Sequence, residues 1–395
     1  MSKEPGKTGE TTSLETILTH GGRASEDHLG FVNIPVFRGS TILFKTLDEL
    51  EDYKAPYRYG RNDNPTTRAL CDLVSELEGA AGTIIAPSGL SAVSTALLAA
   101  VSAGAELLMT DSAYEPTRTF ATEGLARFGV TTRFYDPRIG AGIAELFTDQ
   151  TKAVFVESPG SLTFEMQDLP AIAAAAHARG IVVIVDNSWA TPLFHRPLEL
   201  GADMVMHAAT KMFVGHSDAM VGTVSANEKY WNRLKRTHRI LGVAVSPDDS
   251  YLTLRGLRTL AVRMKHHNKQ SLAFADWLQG QPGVEEVYHP ALPSHPDHAL
   301  FKRDFTGAGS LFAFRVNKRS REALAAMVNG FGLFGMGYSW GGYESLCIPF
   351  DPTNIRTAVP WDAPGQLFRV HVGLENVADL KADMGAALER YRATA

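Results

Sequence analysis

Two cysteines, Cys71 and Cys347, are all that the 395 residues contain. So few exclude a disulfide scaffold, and their wide separation excludes a cysteine-based metal site. They read as buried thiols in a reducing compartment. No run reaches the ~18 consecutive apolar residues that a membrane-spanning helix needs. The first residues, MSKEPGKTGETT, lack the apolar core of a signal peptide. The expected location is the cytoplasm. Blocks of basic charge are also missing. Lys plus Arg number 38 against 43 for Asp plus Glu, so the formal net charge is −5. That balance gives no general attraction for nucleic acid or an anionic membrane.

What is present is ordinary for a globular protein: 45% of residues are hydrophobic and 21% charged. At roughly 100–200 residues per domain, the length suggests two or three domains and a core that needs no staples. Residues 1–58 lack periodicity and read as an arm that packs on a neighbour. No linker or internal repeat interrupts the rest. Leu70, Leu73, Val74 and Leu77 mark one face of a helix that Thr66 or Thr67 would cap. Strand-like runs follow at 83–87, 106–110, 131–135, 152–157, 181–185 and 204–208. Helical segments, notably 115–128 and 168–179, separate them. This alternation predicts an α/β domain over 59–250, with a mainly parallel sheet covered on both faces. A long helix is expected over 250–280. Strands at 310–316 and 366–374 and helices at 320–330 and 378–392 predict a smaller α+β domain over 251–395.

In open α/β sheets, ligands gather beyond the carboxyl ends of the strands. Three features fall there. Ser88-Gly89-Leu90 leaves a strand and opens a helix, where free N–H groups suit a phosphate. Many ordinary strand–helix turns look the same. Asp186 ends IVVIVD, where a carboxylate needs a partner. It reads equally as a helix cap. Lys211 follows VMHAAT, where partial burial would make its amine a nucleophile. A surface lysine is the plainer reading. Together they name a cofactor. Pyridoxal phosphate needs a lysine for its aldehyde, an acid for its pyridine nitrogen and a cradle for its phosphate.

The segments YGRNDNPT (59–66), PSGLSA (87–92), DSAYEPT (111–117), VESPGSLTFE (156–165) and VDNSWATP (185–192) occur in that order. ATKMFVGHSDAMVGT (209–223), LRGLRTL (254–260), YSWGGYESL (338–346) and FRVHVGLE (368–375) follow. On these segments the chain resembles the cysteine/methionine-metabolism family of pyridoxal-phosphate enzymes. The resemblance runs from residue 32 to the C-terminal helix. It implies fold type I, the aspartate aminotransferase-like architecture.

The same resemblance implies roles. Lys211 would hold the cofactor covalently, and Asp186 would pair with its pyridine nitrogen. Tyr114 would stack on the ring and share proton transfer with Lys211. Ser88, Gly89, Leu90 and Thr210 would bind the phosphate. Tyr59 and Arg61 would reach the phosphate held by a neighbouring subunit, within a homotetramer built from two dimers. Arg369 would clamp the substrate carboxylate, with Ser339 and Trp340 lining the pocket. The implied reaction is β-elimination of L-cystathionine to homocysteine, pyruvate and ammonia.

Departures from the family pattern bear on that reading. Position 208 is Ala where many members have Ser, so one phosphate contact is missing or supplied by backbone. The NPT at 64–66 is similar to γ-acting relatives and bears on distal-substrate contacts near Asn62. Trp340 and Ser161 are similar to β-eliminating members and tip the balance. Alternatives are a γ-acting enzyme, namely a cystathionine or methionine γ-lyase or a synthase using an activated homoserine, or a regulatory binding partner with secondary lyase activity. No metal site is expected: His295 and His298 lack a third ligand at suitable spacing. His266-His267 reads as spanning a helix face, and His216 as orienting the lysine loop.

Overall fold

The computed structural model describes residues 12–394. The polar stretch 1–11, read above for targeting, lies outside the described residues.

Seven strands form the larger sheet: β1 (Gly82–Ala86), β2 (Glu106–Thr110), β3 (Thr131–Tyr135), β4 (Thr151–Glu157), β5 (Val182–Asp186), β6 (Met204–His207) and β7 (Gly222–Ala226). Their order is β1-β7-β6-β5-β4-β2-β3. β3, β2, β4, β5 and β6 run parallel, while β7 is antiparallel to both β6 and β1. Side chains alternate between two apolar layers, as the two-residue period of a strand requires. Leu107, Met109 and Ile184 enter one layer with the helix Gly89–Ala100. Leu108, Val183 and Val185 enter the other with the helix Leu169–His177. A sheet covered on both faces is the architecture the alternation predicted.

The smaller sheet is antiparallel and holds β8 (Val284–Tyr288), β9 (Leu311–Val316), β10 (Leu346–Phe350) and β11 (Gln366–His371), in the order β10-β11-β9-β8. Phe312, Phe314, Phe368 and Val370 face a core completed by Leu380, Met384 and Leu388 of the C-terminal helix Val377–Ala393. Arg369 and His371, one residue out of phase with Phe368 and Val370, point to the opposite side. That explains a charged residue within an apolar strand.

Several local expectations need correction. The helix Pro65–Glu78 is capped by Asn64, not by Thr66 or Thr67; its side chain accepts from the N–H groups of both threonines. Pro65 at the first helical position makes the preceding residue the natural cap. The long helix expected over 250–280 is two helices, Pro247–Leu257 and Leu260–Gln279. Arg263 Nη2 takes the Gly256 carbonyl at 2.8 Å, and Thr259 leaves helical geometry. The segment 115–128 is a short helix, Glu115–Thr119, continued by π and 3-10 turns. Cys347 is buried, but Cys71 is only partly so, because it sits at the margin of its helix's apolar face.

Candidate active site

The carboxyl ends of the parallel strands form the floor of a cleft. After β1, Ser88 caps the helix Gly89–Ala100 by accepting from the Ser91 N–H at 3.1 Å. The first N–H groups of that helix have no partner within it. A Cβ at Gly89 would stand 2.6 Å from the Ala208 Cβ, so only glycine lets the helix start approach the exit of β6. The Ala208 N–H donates to Ser188 Oγ at 2.7 Å. It is thereby engaged on the side of β5.

β4 ends on Glu157 and β5 on Asp186, and the two residues are paired in register. Glu157 accepts from the Tyr114 N–H at 2.8 Å. Asp186 accepts from the Ser188 N–H at 2.9 Å. Desolvation raises the pKa of Asp186, opposed by Ser188 and by the charges of His207 and Lys211. Glu157 is raised well above the usual range, first by burial and then by the charge on Asp186. Both are raised, Glu157 the more strongly, so Glu157 is the carboxyl that keeps its proton to the higher pH.

Lys211 stands four residues beyond β6. Its Nζ donates to Ser339 Oγ at 2.5 Å and lies 5.5 Å from the Trp340 ring centre. Burial, and secondarily the Arg369 guanidinium, push its pKa down to about 8. Arg369 on β11 forms the opposite wall. Its Nη2 donates to the carbonyls of Ser339 at 3.0 Å and Gly337 at 3.3 Å. His216 Nδ1 lies 2.6 Å from the Val214 carbonyl, within the loop that follows Lys211.

Ser88, Gly89, Glu157, Asp186, Lys211 and Arg369 line one cleft of about 480 Å³, together with Leu90, Tyr114 and Thr210. Every candidate for holding cofactor or substrate borders it except Tyr59, Arg61 and the neighbouring Asn62, and His216 stands outside its lining. Tyr59 and Arg61 lie in an exposed segment, with the Arg61 guanidinium 5.7 Å from the Tyr59 ring. Sequence reasoning missed Glu157, Ser188, Trp189, Met220 and Tyr338, which also line the cleft. Glu157 had a readable signal: it ends a strand-like run, as Asp186 does. Met220 and Tyr338 come from loops whose course no local pattern indicates.

The cleft thus offers a part-buried amine, a pair of carboxyls, an open helix start and a guanidinium. A family model described as "Cys/Met metabolism PLP-dependent enzyme" matches residues 15–389. The chain belongs to this family. Its cofactor is pyridoxal phosphate, and the cleft fits it. The helix start that tolerates no Cβ suits the phosphate, Asp186 the pyridine nitrogen and Lys211 the aldehyde.

Other members are similar over almost their full length. A putative cystathionine beta-lyase of Rhizobium johnstonii is 48% identical over 95% of this chain and 96% of its own. Cystathionine beta-lyase MetC of Escherichia coli is 42% identical over 95% and 98%. Among solved structures, cystathionine gamma synthase from Xanthomonas oryzae, in complex with aminoacrylate and cysteine, superposes with a TM-score of 0.91. It is 31% identical and covers 98% of this chain and all of that one. The fold is therefore that of this family, type I, as the resemblance implied.

Proposed function

We propose that the protein cleaves L-cystathionine at its Cβ–S bond. With water, the products are homocysteine, pyruvate and ammonia. The observation that carries this reading is Lys211: a basic amine lowered to about 8, held between Ser339 and Trp340 and facing Arg369. The β-lyase names of relatives 48% and 42% identical support the choice of bond and substrate.

Bound pyridoxal phosphate withdraws electrons from the Cα of an attached amino acid, which eases loss of its proton and of a group on Cβ. The protein does the rest. Asp186 would pair with the pyridine nitrogen and favour its protonated form. The start of the helix Gly89–Ala100, with Ser88 and Thr210, would hold the phosphate, and Tyr114 would lie against the ring. Arg369 grips the α-carboxylate through the part of its fork not bonded to Ser339 and Gly337. Lys211, half neutral near pH 8, takes the proton from Cα. Its flexible stem also reaches the departing sulfur and returns a proton there, with Tyr114 as a second donor. The released 2-aminoacrylate hydrolyses to pyruvate and ammonia.

We further propose that Tyr59 and Arg61 complete the site of a neighbouring subunit, in a homotetramer built from two dimers. Leu29, Phe31, Val32, Leu43, Leu47 and Tyr53 of the same arm are all exposed, which supports a covering partner. The free cysteines favour a cytoplasmic setting. No helix among the described residues is long and apolar enough to cross a membrane.

Product identification tests the reaction. Holoenzyme given L-cystathionine should release homocysteine and pyruvate. Cysteine with 2-oxobutanoate would replace this reading with the γ-lyase. The NPT at 64–66 gives that alternative little support. Its Asn64 caps a helix and Thr66 Oγ1 donates to the Pro35 carbonyl, so the motif has a local structural role.

A further inference from the structure

The loop from Gly337 to Gly342 carries Ser339 and Trp340 into the cleft, yet its backbone is unfavourable. Ser339 has φ +74° and Gly341 has φ +91°. A non-glycine residue at positive φ persists only where its surroundings enforce it. One restraint comes from within the site. Arg369 binds two carbonyls of the loop, and Lys211 binds the Ser339 hydroxyl. Lys211 is also the group the cofactor engages, so its bond to Ser339 cannot hold the loop throughout a turnover, and Arg369 must divide its fork between the loop and a carboxylate.

His371 is placed to hold it from behind. It lies two residues beyond Arg369 on β11, on the same side of the strand. The ring is 1% exposed. Its Nδ1 lies 2.7 Å from the Oγ of Ser310, the residue just before β9. Its Nε2 lies 3.1 Å from the Gly342 carbonyl and 3.3 Å from the Gly341 N–H. A neutral imidazole has one N–H, so these contacts belong to two tautomers. In one, Nε2–H donates to the Gly342 carbonyl and Nδ1 accepts from Ser310. In the other, Nδ1–H donates to Ser310 and Nε2 accepts from the Gly341 N–H. Either way, one ring nitrogen engages the loop and the other is anchored on Ser310. The loop cannot retreat in the other direction. A Cβ on Gly341 would already lie 2.9 Å from Lys211 backbone, and one on Gly342 would lie 2.1 Å from Ser217 Oγ.

We propose that His371 is the positioning residue that fixes the Trp340-bearing loop against the carboxylate-binding end of the cleft. It acts through Gly341 and Gly342 and touches neither substrate nor cofactor. The ring stays neutral in this role. Burial, with Arg369 and Lys211 nearby, pushes its pKa down to about 4. The inference rests on the proposed reading only in taking an amino-acid carboxylate as the ligand of Arg369.

The test compares His371→Gln, which keeps a polar group near the Nε2 position, with His371→Leu. Two readouts are used. One is the Kd of holoenzyme for L-alanine, which has a carboxylate but no leaving group on Cβ, followed by the visible absorbance of the cofactor. The other is KM and kcat for L-cystathionine. His371→Leu should weaken L-alanine binding and raise KM about tenfold, the size of one to two hydrogen bonds, with a much smaller change in kcat. His371→Gln should restore both to within about threefold. An unchanged Kd in His371→Leu would overturn the proposal, as would equal losses in the two variants. Should His371→Leu fail to fold, Ser310→Ala removes the anchor outside the cleft. It should raise the Kd about threefold, and no rise would count against the role. If the wild type binds L-alanine but does not cleave L-cystathionine, the substrate assignment fails while the Kd comparison still judges His371.

Discussion

Glu157 and Asp186 end neighbouring parallel strands in register, so two carboxyls share the floor of one cleft. Burial and mutual repulsion favour a single charge between them. The pKa of Glu157 lies well above its ordinary 4.5. The folded protein therefore holds this proton more tightly than the unfolded chain does. The resulting stability is fully present below about pH 4.5 and is lost as pH rises through the folded pKa. Glu157→Gln keeps a neutral group of the same shape with no proton to lose. Its thermal midpoint should match the wild type in acid and exceed it increasingly as pH rises. A constant difference across that range would mean that Glu157 is already ionised.

The amine of Lys211 should titrate in the same way as a catalytic base. With its pKa lowered to about 8 from 10.5, it becomes a free nucleophile more than two pH units early. The rate at which apoprotein captures pyridoxal phosphate should climb with pH, be half-maximal near 8 and level off above it. A rate still rising past pH 10 would show an ordinary exposed lysine. Lys211→Ala should lose the visible absorbance of the holoenzyme and about 10³-fold or more in kcat. Near-normal turnover in that variant would remove Lys211 from the mechanism.

Arg369 has two duties, holding the carbonyls of Gly337 and Ser339 and gripping a carboxylate. Lysine can supply the charge but not the planar fork. Arg369→Lys should therefore lower kcat/KM by about 10- to 100-fold, mostly through KM, since a charge-assisted hydrogen bond contributes about 1.5–3 kcal/mol. Cofactor absorbance should stay normal. Unchanged KM would leave Arg369 with its structural contacts alone.

Much of this was legible because strands and helices carry strong periods. The runs ending at Glu157 and Asp186 and the small-residue helix after Ser88 could be placed from pattern alone. Lys211, Asp186 and the Gly89 turn were visible as an ordered set because cofactor chemistry needs all three. The break at Arg258–Thr259 was hidden, because no proline marks it. It arises from Arg263, which reaches across to the carbonyls of Gly256, Met212 and Phe213. His371 was hidden for a similar reason. Its partners Ser310, Gly341 and Gly342 are distant in sequence, and only the pairing of β11 with β9 and β10 brings them together.

The placement of Tyr59 and Arg61 in a neighbour's site has a test that inactive variants alone can supply. Arg61→Ala and Lys211→Ala should each be inactive, or nearly so, as pure proteins. In a dimer holding one of each, the site with intact Lys211 receives its Arg61 from the Lys211→Ala subunit and is complete. The other site lacks both. Half of randomly formed dimers are of this mixed kind, so co-expression of the two variants should restore about a quarter of wild-type turnover. If Arg61 instead served the site of its own chain, every site in the mixture would lack one residue. Turnover would then stay at the level of the separate variants, whatever the ratio of subunits.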